Sequence, residues 1–136
     1  MGRFSFNAVN YTAARLVIEV DNKLTERHLL GSLNLKEPKQ GDFRDIRVTA
    51  DAEWESDTLQ AAYTADTESD LAFTATGVSS RTWAATLHNA YIDDDAAAVS
   101  QVGVVPQTTV FRGQSDGTDE GLKIVIANTQ STATAA

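Results

Sequence analysis

Carboxylates are the side chains in this sequence best suited to chemistry, and they gather at three places. These are the segments 93–95 and 116–120 and the alternating residues Asp51, Glu53 and Glu55. Calcium takes about six to eight oxygen ligands, but adjacent carboxylates cannot all converge on one ion. Because the sequence has no D-x-D-x-D-G loop, both acidic segments are interpreted as solvated turns.

Other catalytic arrangements lack their sequence signatures. His28 and His88 lie sixty residues apart without an HExxH pair, and G-x-S-x-G and Gly-rich phosphate motifs are absent. Asp51, Glu53 and Glu55 recur every second residue, about 6.5–7 Å apart on a strand, as on an ordinary solvated face. We therefore predict no catalytic, cofactor-binding or metal-binding residue, and no enzymatic activity.

Composition describes one acidic domain. The chain has 136 residues, no cysteine and a net charge of −8, so thiol chemistry is excluded and nucleic-acid binding through a basic patch is disfavoured. No apolar run approaches the ~20 residues of a membrane span, and residues 1–10 lack the apolar core of a signal peptide. Residues 1–50 hold eight basic and six acidic residues, a net of +2, and residues 51–136 hold three and thirteen, a net of −10. This asymmetry favours head-to-tail self-association.

The element that positions the alternating carboxylates is a strand. From Asp45 to Glu55 every even-numbered residue is apolar and every odd-numbered one is polar, which predicts one buried face and one wet, mostly acidic face. Trp54 continues the apolar set, and Trp83 is in phase with the apolar residues of its own segment. Both are predicted to be core residues.

Further strands are predicted over 12–22, 71–76, 82–92, 104–112 and 122–128, and turns over 93–95 and 115–121. A short helix is predicted after Ser56 as N-cap, packed by Leu59 and Tyr63. The predicted fold is mainly β: a two-sheet antiparallel β-sandwich of six to eight strands with one short flanking α-helix. Residues 1–11 are expected as an N-terminal arm, 12–129 as the domain with a long loop over 23–42, and 130–136 as a flexible tail.

Four segments carry a resemblance to a known family. They read Leu-Val-Ile-Glu-Val-Asp-Asn over 16–22, Arg-His-Leu-Leu-Gly-Ser over 27–32, Phe-Arg-Gly-Gln-Ser-Asp-Gly over 111–117 and Leu-Lys-Ile-Val-Ile-Ala-Asn over 122–128. Together with the strand that leads into the short helix, they resemble the tail tube proteins, or major tail proteins, of long-tailed bacteriophages. The resemblance spans about residues 12 to 129.

The resemblance implies a structural virion protein whose hexameric rings stack into a hollow tube for genome delivery. The implied partners are other copies of the chain, tape measure and tail terminator or tip proteins, and double-stranded DNA that passes without specific binding. No membrane partner is implied. The expected location is the phage tail in the virion, after assembly in the host cytoplasm.

Two sets of site residues follow. An acidic lumen repels phosphate and lets DNA slide, and Asp51, Glu53 and Glu55 are the candidate lumen residues, although Arg47 shares their face. The candidate inter-ring loop is marked by Lys23, Lys36, Lys39 and Asp42.

Two alternative functions remain open. One is a monomeric β-sandwich module that binds carbohydrate or a cell-surface ligand, which exposed aromatic side chains would favour. The other is a small hydrolase with scattered carboxylates. Electron microscopy of the purified protein separates the tube hypothesis from both alternatives, because the tube hypothesis requires rings or tubes and each alternative requires a small monomer.

Overall fold

The computed structural model describes residues 2–27, 36–40, 44–54, 56–77, 81–97, 105–115 and 121–127. The elements are β1 (Gly2–Phe6), β2 (Val9–Asp21), β3 (Leu24–Arg27), β4 (Lys36–Gln40), β5 (Asp45–Glu53), α1 (Thr58–Thr64), β6 (Ser69–Thr76), β7 (Thr82–Ala97), β8 (Pro106–Gly113) and β9 (Leu122–Ala127). All the strand pairs are antiparallel. A mainly β, antiparallel fold with one short helix is therefore confirmed. Residues 28–35 and 41–43 of the predicted loop, and the predicted tail over 130–136, lie outside the described residues.

The main sheet closes around the core. Seven strands are ordered β6-β1-β2-β5-β8-β7-β9, and β6 also pairs with β7, within the ranges described. The two predicted layers are opposite walls of this sheet, which we call the front wall (β2, β5 and β8) and the back wall (β6, β7 and β9). They face each other across Ile18 and Val48 on one side and Leu71 and Leu87 on the other.

Two long strands bend and change pairing partners along their length. β2 pairs with β1 as far as Ala13 and with β5 beyond it, with a register shift between Ala13 and Arg15. β7 pairs with β6 up to Ala90 and with β8 from Tyr91 onward, with a register shift between Ile92 and Asp94. Bulges increase local twist and bend a strand, so each shift lies close to the point where the strand passes from one wall to the other. The turn predicted over 93–95 is therefore wrong, because β7 continues through it.

Four aromatic rings form the centre of the core. The ring of Phe4 stacks on that of Tyr11 with centroids 5.1 Å apart, and Phe6 lies 5.1 Å from Phe111. All four side chains are buried. Residues 2–11, where the sequence predicts an arm, are thus a β-hairpin built into the sheet. The alternation of Phe4 and Phe6 with polar neighbours is too short a pattern to be recognised as a strand.

The alternation of β5 is confirmed up to Glu53. Ile46, Val48, Ala50 and Ala52 are buried. Trp54 lies past the end of β5 and is 42% exposed, so its assignment to the core is wrong. Side chains alternate between two faces only within a strand, so the sequence pattern does not predict burial beyond Glu53. Trp83 is half-buried, with its ring edge-on to Phe73 at 5.2 Å.

Of the two residues predicted to pack the helix, Leu59 does so and Tyr63 does not. Leu59 and Ala62 are buried, whereas Tyr63 is 43% exposed, so the prediction for Tyr63 is wrong. Asp57, not Ser56, precedes the helix, and it makes no side-chain capping bond. The helix is instead tied to β2, because the Tyr11 hydroxyl donates to Thr58 Oγ1 at 3.0 Å.

The two tryptophans should differ in their contribution to stability. We expect Trp83→Ala to lower the free energy of unfolding by about 1–3 kcal/mol, somewhat less than a fully buried aromatic. Trp54→Ala, the matched control, should cost less than about 1 kcal/mol. Urea unfolding of the dilute monomer measures both, and equal losses would contradict this assignment.

Candidate functional site: a charged strand face

The outward side of the front wall, continued by the second half of β7, concentrates charge. Strand register places seven acidic and three basic residues on it, a net of −4. We call this set the charged face: Arg15, Glu19, Asp21, Asp45, Arg47, Asp51, Glu53, Asp93, Asp94 and Arg112. Because the opposite side of the same strands is buried in the core, the face is held on a rigid support.

Two of the three predicted carboxylates, Asp51 and Glu53, lie on this face. Asp51 is held in place, because Thr108 Oγ1 donates to its Oδ1 at 2.8 Å and Arg15 Nη1 lies 3.8 Å from its Oδ2. Glu53 is exposed at the end of β5, opposite Pro106. Glu55 lies outside the described residues. Two of the three predicted residues therefore share one face.

A basic pair interrupts the acidic stripe. Arg47 of β5 lies directly opposite Arg112 of β8, and like charges in that position repel. Acidic neighbours offset the repulsion: Arg112 Nε lies 3.1 Å from Asp93 Oδ2, and Arg47 Nη2 lies 4.0 Å from Asp45 Oδ2. The sequence places Arg47 on the face but misses Arg112 and Asp93, because neither joins it until the strand register is known.

A polar network lies behind the charged face. Beyond the bulge Asp94 points outward and Asp95 inward, where the Asp95 carboxylate accepts bonds from Gln107 Nε2 at 2.9 and 3.0 Å and from Thr109 Oγ1 at 2.7 Å. Gln107 and Thr109 are 2% and 1% exposed. The network pairs these buried donors and fixes β7 against β8. Sequence reasoning missed it because it took residues 93–95 for a solvated turn.

The predicted inter-ring loop begins with an ordered turn. Lys23 has a positive φ of 49°, its N–H donates to Asp21 Oδ1 at 2.9 Å, and its Nζ lies 2.7 Å from Oδ2. The hydrogen bonds from Lys23 and its positive charge lower the pKa of the Asp21 carboxyl. Asp21 thereby stabilises the turn that leads into the loop.

The rest of that loop is partly a hairpin. β3 and β4 pair with each other as a separate two-stranded sheet, in which Lys36 lies opposite Arg27 and Lys39 opposite Thr25. Asp42 lies outside the described residues. Within the ranges described, the hairpin pairs with no strand of the main sheet, so it is an appendage of the domain.

The described part of the chain holds no group of three or more potential metal ligands. Nor does that part hold a helix long and apolar enough to cross a membrane.

Comparison with solved structures identifies the fold. The chain matches one in the anti-feeding prophage cap, described as a tube terminating cap, with 11% identity and a TM-score of 0.65 over 93% of this chain and 88% of that one. It matches a chain of the PVC sheath-tube complex of an extracellular contractile injection system at 10% identity and a TM-score of 0.63, over 93% and 88%. A third match, to the tail of an empty gene transfer agent particle computed with C6 symmetry, has 9% identity and a TM-score of 0.59, over 87% and 84%.

No protein-family model and no curated protein matches the sequence. At the identities of the structural matches the likeness concerns the fold. It confirms the tail-tube-like architecture that the sequence resemblance implies.

The polar network should contribute measurably to stability. Asp95→Ala leaves the Gln107 and Thr109 donors buried without their acceptor, so we expect a loss of about 2–3 kcal/mol. Asp94→Ala, next to it but exposed on the opposite side of β7, should cost no more than about 0.5 kcal/mol. Urea unfolding compares the two variants, and similar losses would show that the network does not hold β7.

Proposed function

We propose that this chain is a structural subunit of a phage-type tail tube, in which hexameric rings stack around an acidic lumen. The observation that carries the proposal is the charged face, a net-negative surface on the front wall of a fold shared with chains of tube-containing particles. The hexamer is supported by the C6 symmetry applied to one matched tail.

Two open strand edges supply the ring contact. β2 beyond Ala13 pairs with β5 along one edge, and β7 beyond Ala90 pairs with β8 along one edge; neither has a second strand partner among the described residues. These edges lie at opposite ends of the sheet that carries the charged face. Joining the β2 edge of one copy to the β7 edge of the next is a heterologous contact, which closes into a ring when the rotation allows.

Ring closure of this kind turns the charged face toward one side of a continuous wall. Duplex DNA carries one charge per ~1.7 Å, and basic walls would bind it by counterion release. A wall with a net negative charge repels phosphate and keeps a hydrated gap. The ion pairs of Arg47 and Arg112 with Asp45 and Asp93 reduce the attraction that these two cations would exert on DNA.

The remaining parts of the proposal follow from this role. The subunit works in the virion after assembly in the host cytoplasm, without a cofactor, catalysis or a membrane partner. Tape measure and terminator or tip proteins contact the tube, and DNA passes through it without specific binding.

One observation favours the alternative of a monomeric binding module. Trp54 and Tyr63 are 42% and 43% exposed, and exposed aromatic rings can stack on sugars. Loss of glycan binding in Trp54→Ala, by a chain that stays monomeric, would support that alternative.

The loop provides the first test. Deleting residues 36–41 removes β4, which belongs to the separate hairpin, so the main sheet should fold and circular dichroism should retain its β signal. We expect the wild-type chain to form tubes by negative-stain microscopy and the deletion variant to form none. Tubes of normal length after the deletion would refute the role of the loop.

The charged face provides the second test. Changing Asp51, Glu53 and Glu55 together to Lys should leave tubes intact but slow or abolish genome delivery, because three added cations hold phosphate. The control makes the same charge change at Asp57, Asp66 and Glu68, exposed residues around α1. If virions that carry the first variant deliver DNA normally, these residues do not line the lumen.

A further inference from the structure

The back wall carries exposed apolar side chains beside a surface depression. Trp83 and Ile126 line a depression of about 460 Å³ on the back wall. Ile124 and Ile126 of β9 are 50% and 72% exposed. Phe73, which packs on Trp83, lies beside a cavity of about 10 Å³ between the walls. We call Phe73, Trp83, Ile124 and Ile126 the apolar mouth.

The exposure of the apolar mouth calls for a partner. Contiguous exposed apolar side chains mark interaction sites. β9 is also an end strand, and its second edge pairs with no strand among the described residues. An apolar strand with an open edge invites pairing with another chain unless something covers it.

The chain itself contains a segment of matching chemistry. Residues 28–35 read His-Leu-Leu-Gly-Ser-Leu-Asn-Leu, with four leucines and no acidic residue, lysine or arginine. The segment joins Arg27 to Lys36, which are register partners, so it connects the two strands of the β3–β4 hairpin. An isolated two-stranded hairpin is at best marginally stable in water, so this appendage requires a surface to pack on.

We propose that residues 28–35 of one copy dock on the apolar mouth of a second copy. This inference rests on the proposed tube, because it assigns the receptor surface for the predicted inter-ring loop. The segment and the mouth are different surfaces of the same molecule, so their contact is heterologous. Such a contact, directed from one ring to the next, repeats without limit and builds a stack.

Disulfide trapping tests the docking directly, because the chain contains no cysteine. Leu33→Cys and Ile126→Cys are made in separate chains, one isotopically labelled, then mixed, assembled and oxidised. We expect a cross-linked dimer with one chain of each kind. The control pairs Leu33→Cys with Thr74→Cys, an exposed residue of β6, and should give little cross-link.

A second variant weakens the same contact without touching the core. Ile126→Lys replaces a side chain that is 72% exposed, so the monomer should fold as the wild type does by circular dichroism. A charge placed in an apolar contact is costly, and we expect the protein concentration needed for tube growth to rise about tenfold or more. Val125→Lys, on the opposite side of β9, is the matched control and should leave that concentration unchanged.

The outcomes separate this inference from the proposed function. If wild-type tubes form but the Leu33–Ile126 cross-link is absent and Ile126→Lys assembles normally, the docking is refuted while the tube stands. If the chain carrying both cysteines closes a disulfide within itself and the mixed pair does not react, the segment covers its own mouth and docking between copies is refuted. If the wild type forms neither rings nor tubes, the proposed function fails.

Discussion

One strand, β5, joins the apolar core to the charged face, because its side chains alternate between the two. Its even-numbered residues are buried against Phe111 and the rest of the core. Its odd-numbered residues point outward and include Asp45, Arg47, Asp51 and Glu53. It pairs with β2 on one edge and β8 on the other, each over eight residue pairs. A slip of one residue would exchange core and surface along the whole strand, so burial fixes the register and the register fixes the charged face.

The fixed strand register brings cations of the charged face next to acidic residues on adjacent strands. Arg15 lies by Asp51, and Arg112 by Asp93. Each half-exposed pair contributes little to stability, but together they leave a surface with a net charge of −4 instead of alternating patches of either sign. A continuous strand surface with one prevailing charge suits a polymer that must pass along it, whereas a deep pocket would suit a small ligand.

Long, regular patterns were predictable from the sequence and short or interrupted ones were not. β5 and β2 follow long alternating patterns and β9 is a run rich in β-branched residues, and all three were found with small shifts at their ends. β1 was missed because its five residues show too few alternations, and Trp54 was misplaced because the pattern runs two residues past the end of the strand. The bulge near Asp93 changes which carboxylates face inward, so the Asp95 network and the pairing of Arg112 depended on a register that no single strand reveals. Asp51 and Glu53 were found because they belong to the strand with the clearest pattern.

A helical reconstruction by electron cryo-microscopy, made from tubes of the purified chain, tests the central claim most directly. We expect the density to place the charged face of every subunit on the lumen, with β2 of one copy beside β7 of the next in a continuous wall. A tube with the charged face on its outer surface or buried between rings would contradict the claim. A preparation that contains only folded monomers at high concentration would contradict it as well.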